Sequence, residues 1–97
     1  MLCALTVRTL EPGTFEQFRR GFMGPMSGGT PPEGWVRFSM VRSGDEVACF
    51  GFFDGTEEEL RASANSFGYE EQQRAIAPYV KSVGSDAIFE VVEDLAQ

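Results

Sequence analysis

The stretch GWVRFSMVRSGDEVACFGFFDG, residues 34–55, decides the fold of this chain. Two runs rich in β-branched and aromatic residues flank Ser43-Gly44-Asp45, a pattern that predicts a β-hairpin with a short glycine-containing turn. The strands of a sheet with one solvent-exposed face alternate between apolar and polar residues, and neither of these runs does so cleanly. Both faces of the hairpin therefore need a cover, and a chain of 97 residues can cover only one of them with its own helices.

Because side chains alternate along a strand, each run of the hairpin divides into two sets. On the first run, one set is Trp35, Arg37, Ser39 and Val41, and the other is Val36, Phe38 and Met40. On the second run, one set is Val47, Cys49, Gly51 and Phe53, and the other is Ala48, Phe50 and Phe52. Both sets on each run contain large apolar residues, which again predicts a sheet covered on both faces.

The residues before the hairpin predict a strand, a helix and a loop. Residues 2–9 form the strand, with Leu2, Ala4, Thr6 and Arg8 on one face and Cys3, Leu5 and Val7 on the other. Glu11-Pro12-Gly13 ends it, and the run from Thr14 to Gln17 fits a capping box that opens a helix. Along this helix an apolar stripe is predicted to pack against the sheet, formed by Phe15, Phe18 and Phe22.

Residues 23–33, MGPMSGGTPPE, have no periodicity and predict a long loop. Such a loop is usually either a functional lid or simply disordered. Met23 and Met26 favour a lid over an apolar ligand.

After the hairpin, Thr56-Glu57-Glu58-Glu59 fits a second capping box, in which the three glutamates form a cap and a solvated face. This helix directs three apolar residues inward and breaks or kinks at Gly68; they are Leu60, Ala64 and Phe67. A second helical segment follows over residues 69–77, and Pro78 limits it. Residues 82–86 are predicted as a loop and residues 87–93 as the last strand, with the side chains of Ile88 and Val92 on one face.

The predicted order β-α-β-β-α-β is that of the ferredoxin-like, α+β plan, a four-stranded antiparallel sheet with both helices on one face. We expect a single domain over residues 1–97. The other face of the sheet stays apolar and bare in a monomer, which predicts an interface. A symmetric homodimer through the sheet face would cover both sheets at once.

Composition excludes several classes of function. The formal net charge is −7, and an acidic surface disfavours nucleic acid and anionic membranes as partners. The chain has no histidine, which removes the usual haem ligand, the commonest metal ligand and the commonest general base. Cys3 and Cys49 are expected to be free, buried thiols. We therefore expect no cofactor and no metal, and, in the absence of a signal or membrane-spanning pattern, a cytoplasmic protein.

The first strand with its Glu11-Pro12-Gly13 junction, the phenylalanine-bearing helix, the hairpin and the valine-rich last strand resemble the antibiotic-biosynthesis-monooxygenase-like proteins of the dimeric α/β-barrel superfamily. The resemblance covers nearly the whole chain. It implies a dimer of paired sheets and a cavity between sheet and helices that holds a small lipophilic or aromatic ligand. It also implies a choice among oxygenases without cofactor, haem-degrading enzymes, isomerases and proteins without catalytic activity.

In the oxygenases of this group, Asn, Trp and Tyr side chains orient and polarise a phenol or anthrone whose carbanion reduces dioxygen. The resemblance makes Asn65, Trp35 and Tyr69 the candidate catalytic residues. The alternative is structural: Asn65 exposed near a helix end, Tyr69 a surface aromatic and Trp35 a core or interface residue.

Three polar side chains are candidates for binding the substrate: Arg37, Ser39 and Tyr79. If its strand face is the covered one, the guanidinium of Arg37 is costly to bury without a partner. It either binds an enolate or carboxylate or pairs with Glu90, and the same two possibilities hold for Arg8. Tyr79 either presents a hydroxyl to a cavity or simply packs.

Three functions remain open. The first is a cofactor-independent monooxygenase acting on a small aromatic or polyketide-like compound, favoured by a cavity lined by Asn65, Trp35 and Tyr69. The second is a non-catalytic ligand-binding or structural homodimer, favoured by a cavity filled with Phe and Met side chains. The third is an isomerase or cyclase of the muconolactone or polyketide type, favoured by a desolvated carboxylate in an apolar pocket.

Overall fold

The computed structural model describes residues 1–24 and 31–95 of the chain. Its strands are β1 (Leu2–Leu10), β2 (Trp35–Ser43), β3 (Glu46–Phe53) and β4 (Val80–Glu90). Its helices are α1 (Phe15–Met23), α2 (Glu57–Ser66) and α3 (Tyr69–Ile76), and a short 3₁₀ turn, Ala77–Tyr79, leads into β4. No helix within the described ranges is long and apolar enough to cross a membrane.

The four strands form one antiparallel sheet in the order β2-β3-β1-β4. This order and the intervening helices make an α+β ferredoxin-like fold, which confirms the predicted fold class. β1 lies at the centre and pairs with β3 from Leu2↔Phe53 to Thr9↔Glu46. The predicted hairpin is also confirmed, because β2 and β3 are joined only by Gly44 and Asp45, and Gly44 has a φ of 60° that suits a tight turn.

A β-bulge in β2 changes which side chains share a face. The register with β3 shifts between Trp35, which pairs with Phe53, and Arg37, which pairs with Phe52. Trp35 therefore lies on the face that the helices cover, whereas Arg37 and Ser39 lie on the opposite face. The prediction that Trp35 shares a face with Arg37 and Ser39 was wrong, because one extra residue reverses the alternation.

Two buried clusters lie between the helices and the helix face, the side of the sheet that the helices cover. The first contains Leu10, Phe18, Val47, Cys49 and Ile76, with Phe15 and Phe22 packed against it. The second contains Trp35, Phe53 and Leu60, with Phe67 packed against it. The predicted phenylalanine stripe of α1 is therefore confirmed as packing against the sheet, and Phe18 is completely buried.

The helix boundaries follow the sequence signals in one case and depart from them in another. The Thr56 hydroxyl accepts a hydrogen bond from the Glu59 amide at 3.2 Å, and the Glu59 carboxylate accepts one from the Thr56 amide at 2.9 Å. This capping box is confirmed. The one predicted at Thr14 is wrong, because the Thr14 hydroxyl instead donates to the Glu11 carbonyl at 2.7 Å.

Gly68 separates α2 from α3 as predicted, with a φ of 91° that favours glycine. The last strand differs more from its prediction. β4 begins at Val80, so residues 82–86 are strand and not loop, and it ends at Glu90 and not at residue 93. Main-chain pairing with β1 holds this polar segment in the sheet despite its composition.

The outer face of the sheet, opposite the helices, carries Cys3, Leu5, Phe50, Phe52, Val41 and Phe89. Val41 and Phe89 are about half exposed, at 52% and 48%. Both cysteines are free as predicted, with Cys49 buried and Cys3 half-buried. The predicted loop over residues 23–33 lies mostly outside the described residues, and with it Met26 and the lid hypothesis; Met23 itself ends α1.

Candidate functional site

A cavity of about 650 Å³ lies between the helix face of the sheet and the helices. This volume is in the range of pockets that hold small organic ligands. Aromatic and aliphatic side chains make up much of its wall, and a few polar groups interrupt them. The lining residues that matter most for chemistry are Arg8, Trp35, Asn65, Tyr69, Gln73 and Asp86.

Trp35 forms part of the apolar wall. It is 8% exposed, and its ring stacks on Phe38 with ring centroids 4.8 Å apart. Its indole N–H donates to the Ser63 hydroxyl at 2.9 Å, so the polar edge is held by α2. A Cβ on Gly51 would lie 2.7 Å from the indole ring, so only glycine lets Trp35 lie this close to β3. Trp35 is thus fixed for stacking and does not offer a free hydrogen-bond donor.

Asn65 and Tyr69 line the same cavity from two different helices. Asn65 lies in the last turn of α2 and Tyr69 is the first residue of α3, with the turn at Gly68 between them. Both side chains keep exposed surface. Among the hydrogen bonds of the described residues, none engages the Asn65 amide or the Tyr69 hydroxyl, so both are available to a ligand.

Arg8 is the most unusual polar residue of the cavity, because it is only 4% exposed. Its guanidinium donates to the Thr6 hydroxyl at 2.7 Å and to the Gln73 side-chain carbonyl at 3.4 Å. It also lies 5.6 Å from the centre of the Phe22 ring, within the range of a cation–π contact. The ion pairs among the described residues join Arg19 to Glu16 and Arg61 to Glu57, and Arg8 takes part in neither.

Cys49 lies beside Arg8 on the wall of the cavity. Burial raises the pKa of its thiol to about 11, although the nearby Arg8 charge and a hydrogen bond from Thr6 act in the opposite direction. The thiol is therefore protonated at neutral pH and contributes as a small apolar group, not as a nucleophile.

The three predicted substrate-binding residues are placed differently. Arg37 lies exposed on the outer face, where it donates to the Ser39 hydroxyl at 3.1 Å and lies 5.8 Å from the Phe52 ring centre. Its predicted pairing with Glu90 was wrong, because β3 and β1 separate their strands. Ser39 is among the residues that border the cavity, but its side chain lies on the outer face, where its hydroxyl accepts a hydrogen bond from Arg37. Tyr79 packs against the first core cluster and lies outside the set of described residues that line the cavity.

Sequence reasoning did not consider Gln73 or Asp86. It considered that Arg8 binds an enolate or carboxylate or forms an ion pair, but did not include it among the candidate site residues. Arg8 carried a usable signal, since it falls on the same face of β1 as Leu2, Ala4 and Thr6, where a charge is costly. Asp86 carried none, because it lies in a segment predicted as loop. It pairs with Thr6 across β1 and β4 and keeps exposed surface.

Comparison with known proteins gives a clear answer only for the fold. No protein-family model matches the chain. No curated protein matches it either.

Three solved structures illustrate the fold. A proposed antibiotic biosynthesis monooxygenase from Nitrosomonas europaea has a TM-score of 0.79 at 12% identity and covers 96% of this chain and 100% of its own. Rv0793 from Mycobacterium tuberculosis has a TM-score of 0.79 at 11% identity and covers 98% of both chains. SnoaB, a cofactor-independent oxygenase from Streptomyces nogalater in a variant with one asparagine changed to alanine, has a TM-score of 0.78 at 14% identity, covering 99% of this chain and 97% of its own.

The chain therefore has the fold of the antibiotic-biosynthesis-monooxygenase-like proteins, which confirms the resemblance predicted from the sequence. Identities this low establish the fold and leave the activity open, since one fold supports many functions.

Proposed function

We propose that the protein is a cofactor-independent monooxygenase that acts on a small aromatic or polyketide-like compound bound between the sheet and the helices. The observation that carries the proposal is that Asn65, Trp35 and Tyr69 line one cavity. SnoaB, which shares the fold, is a cofactor-independent oxygenase and supports this choice of chemistry.

Each of the three residues has a role that its environment permits. The fixed ring of Trp35 supports an aromatic substrate by stacking. The Asn65 amide and the Tyr69 hydroxyl, which have no partner among the described residues, donate hydrogen bonds to the substrate oxygen on which negative charge develops. Stabilising that enolate or phenolate lowers the cost of removing a proton from the adjacent carbon.

The reaction balances without an external reductant. An anthrone-type CH₂ group loses a proton, and the resulting carbanion passes electrons to dioxygen and forms a C–O bond. Loss of water then leaves a carbonyl, so one CH₂ group and one O₂ give one C=O and one H₂O. The substrate supplies all the electrons, and the protein supplies binding, orientation and stabilisation of charge.

The two alternative functions have less support. A purely structural dimer would fill this space with Phe and Met side chains, yet a cavity of about 650 Å³ remains. An isomerase or cyclase would use a carboxylate or a tyrosine as base, and a carboxylate base has to be desolvated in an apolar pocket. Asp86 is the one carboxylate among the described lining residues, and it is exposed to solvent.

The first test is oxygen uptake with a panel of anthrones and hydroquinones, without added metal, flavin or nicotinamide. We expect consumption that depends on the protein and exceeds autoxidation. Asn65→Ala is expected to lower the rate by about 10²-fold, because removing one donor to a developing oxyanion costs roughly that much.

Stability measurements separate a catalytic effect of Asn65→Ala from a structural one. Asn65 is exposed, so its replacement is expected to change the free energy of unfolding by no more than about 0.5 kcal/mol. Ser66→Ala, at the exposed neighbouring position, is the matched control and is expected to keep the wild-type rate. Equal rates for Asn65→Ala and the wild type would exclude a catalytic role for Asn65. No oxygen uptake with any compound of the panel would exclude the proposed oxygenase activity.

A further inference from the structure

The charges that line the cavity are opposite in sign to the charge of the chain. The chain carries eight basic and fifteen acidic residues. Yet the described lining residues include three arginines, Arg8, Arg19 and Arg61, against one carboxylate, Asp86. A concave site lined by one sign of charge attracts a ligand of the other sign. Arginines outnumber carboxylates among the described lining residues, although the protein as a whole is acidic.

Among these arginines, only Arg8 combines burial with a lack of charge compensation. Arg19 and Arg61 are exposed and each already pairs with a glutamate of its own helix. Arg8 is 4% exposed, and its hydrogen bonds go to a hydroxyl and an amide, which are neutral. A buried charge without an opposite charge is costly, and a bound anion would offset that cost.

Arg8 also retains donors for a ligand. A guanidinium has five N–H groups, and the contacts with Thr6 and Gln73 use one on each terminal nitrogen. Gln73 is itself oriented by Gln72, whose amide donates to the Phe22 carbonyl at 2.7 Å. This chain of hydrogen bonds fixes the guanidinium between β1 and α3, at the wall of the cavity.

We propose that the ligand of this cavity is an apolar organic anion, whose charged oxygen accepts hydrogen bonds from Arg8 while its rings pack against Trp35 and Phe38. The inference rests on the proposed function in that it assigns the ligand to the same cavity. The anionic oxygen belongs either to a carboxylate or to an enolate or phenolate, because the guanidinium recognises both through the same hydrogen bonds. Arg8 thus becomes a residue that determines specificity.

The competing explanation gives Arg8 only a structural role, as a link between β1 and α3 through Gln73. That role predicts a loss of stability when Arg8 is replaced, with no effect on which ligands bind. Ligand selectivity therefore separates the two explanations, whereas stability alone does not.

The test uses matched anthraquinones and the fluorescence of Trp35, which is the single tryptophan of the chain. Anthraquinone-2-carboxylate and 2-(hydroxymethyl)anthraquinone share a ring system and differ in charge. We expect the wild-type protein to bind the carboxylate about ten-fold more tightly or better, since a hydrogen bond to a charged group is worth roughly 1.5–3 kcal/mol. A third probe, 2-hydroxyanthraquinone, is titrated over a pH range in which its phenol ionises, and its binding reports whether the site takes a phenolate.

Variants then assign the preference to Arg8. Arg8→Met keeps an unbranched side chain without charge. It is expected to bind the carboxylate and the neutral probe with about equal affinity. Arg8→Lys keeps a positive charge but loses the planar fork, and is expected to retain only part of the preference. Arg20→Met is the matched control, because Arg20 is exposed and lies outside the described lining of the cavity. If Arg8→Met does not fold, the preference for the charged probe is compared between Arg8→Lys and Arg20→Met, and a lower preference in Arg8→Lys supports the role of Arg8.

The outcomes are distinct from those of the oxygen-uptake test. Preference for either the carboxylate or the phenolate, lost in the Arg8 variants and kept in Arg20→Met, supports the inference. Equal binding of charged and neutral probes by the wild type, or an unchanged preference in the Arg8 variants, overturns it. If the protein binds the anion but consumes no oxygen, the proposed oxygenase activity is excluded and the proposed ligand class is retained. If it consumes oxygen only with neutral substrates, the oxygenase activity is retained and the proposed ligand class is excluded.

Discussion

At the scale of single residues, burial decides what each polar or ionisable side chain can do. Cys49 and Arg8 are neighbours on the cavity wall with similar exposure, 4% each, yet burial has opposite consequences for them. The thiol avoids the cost of a buried charge by staying protonated, because its pKa is raised to about 11. The guanidinium cannot lose its proton, so it depends on hydrogen bonds and, in our proposal, on the ligand.

The raised pKa of Cys49 predicts a loss of stability in alkali. The pKa of the thiol in the folded protein, about 11, lies above its ordinary value of 9.0, which applies to the unfolded chain. The contribution of this thiol to the free energy of unfolding is therefore fully present below about pH 9 and is lost as the pH rises through about 11. We expect the free energy of unfolding of the wild type to fall over this range more steeply than that of Cys49→Ala, by at most about 1.4 kcal/mol per pH unit.

Urea unfolding at several pH values between 8 and 11 measures this difference. Comparing slopes and not absolute stabilities removes the effect of the small cavity that Cys49→Ala leaves in the core. Parallel slopes for the two proteins would contradict the assignment of a raised pKa to Cys49.

At the scale of helices and strands, one sequence motif produced two different helix starts. Thr14 and Thr56 both open a run that fits a capping box. Thr56 has the extended backbone that capping requires, with φ of −87° and ψ of 163°. Thr14, with φ of −107° and ψ of 10°, is instead part of the turn that ends β1 and bonds back to Glu11. The preceding turn, and not the motif, decided between them.

Replacing each threonine by alanine tests this difference. Thr56→Ala is expected to lower the free energy of unfolding by about 1 kcal/mol at neutral pH, because it removes a cap. The amide of Thr56 and, to a smaller extent, its hydroxyl hold the pKa of Glu59 below its usual range, and Thr56→Ala removes only the contribution of the hydroxyl. The contribution of Glu59 to the free energy of unfolding is therefore present above the usual pKa of glutamate. It is lost as the pH falls through the lowered pKa that Glu59 has in the folded protein.

Thermal or urea unfolding of both variants at neutral and acidic pH supplies the measurement. The stability gap between Thr56→Ala and Thr14→Ala is expected to narrow in acid. A larger loss in Thr14→Ala than in Thr56→Ala at neutral pH would contradict the helix starts described above.

Most strands and helices were predictable from the sequence because each depends on local signals. The alternation of β1, the turn at Gly44 and the break at Gly68 all appear within a few residues. The bulge of β2 and the start of β4 do not. The bulge shifts the register by a single residue, and β4 is a polar edge strand that only pairing with β1 defines.

At the scale of the whole molecule, the outer face of the sheet is the feature that a monomer does not explain. Phe50 and Phe52 lie 5.9 Å apart in an edge-to-face contact on this face, and Val41 and Phe89 are about half exposed, at 52% and 48%. Contiguous apolar surface of this kind marks an interaction site. We propose that a second copy of the chain covers it, as in a dimeric α/β barrel, since a two-fold contact buries both outer faces together.

Phe52→Glu tests the proposed dimer. Sedimentation of the wild type at micromolar concentration is expected to give a dimer. The variant is expected to sediment as a monomer, because each dimer would bury two added carboxylates whose desolvation costs more than pairing with the neighbouring Arg37 recovers. Ala62→Glu, at an exposed position on α2, is the matched control and is expected to remain dimeric. A wild-type monomer, or a Phe52→Glu dimer of unchanged affinity, would exclude this interface.

The candidate site could be predicted only in part because a cavity belongs to the whole molecule. Trp35, Asn65 and Tyr69 were selected through the resemblance to other proteins, and all three line the cavity. Arg37 and Tyr79 were selected by residue type, and the bulge and the 3₁₀ turn place them elsewhere. Whether a side chain reaches the cavity depends on the packing of three helices on four strands, which no local pattern contains.

The bulge of β2 has a consequence for how the two surfaces can change independently. On a regular strand, inserting or deleting one residue exchanges every inward side chain with its outward neighbour. Here the extra residue lies between Trp35 and Arg37, so the strand is divided into a short segment that carries the tryptophan and a longer one that carries the arginine and serine. Deleting Val36 would remove the bulge and place Arg37 directly after Trp35, opposite Phe52 and Phe53, so ordinary alternation would still keep the indole and the guanidinium on opposite faces. Homologous sequences that lack this extra residue are therefore expected to keep the same two surfaces, and sequences can be compared for it directly.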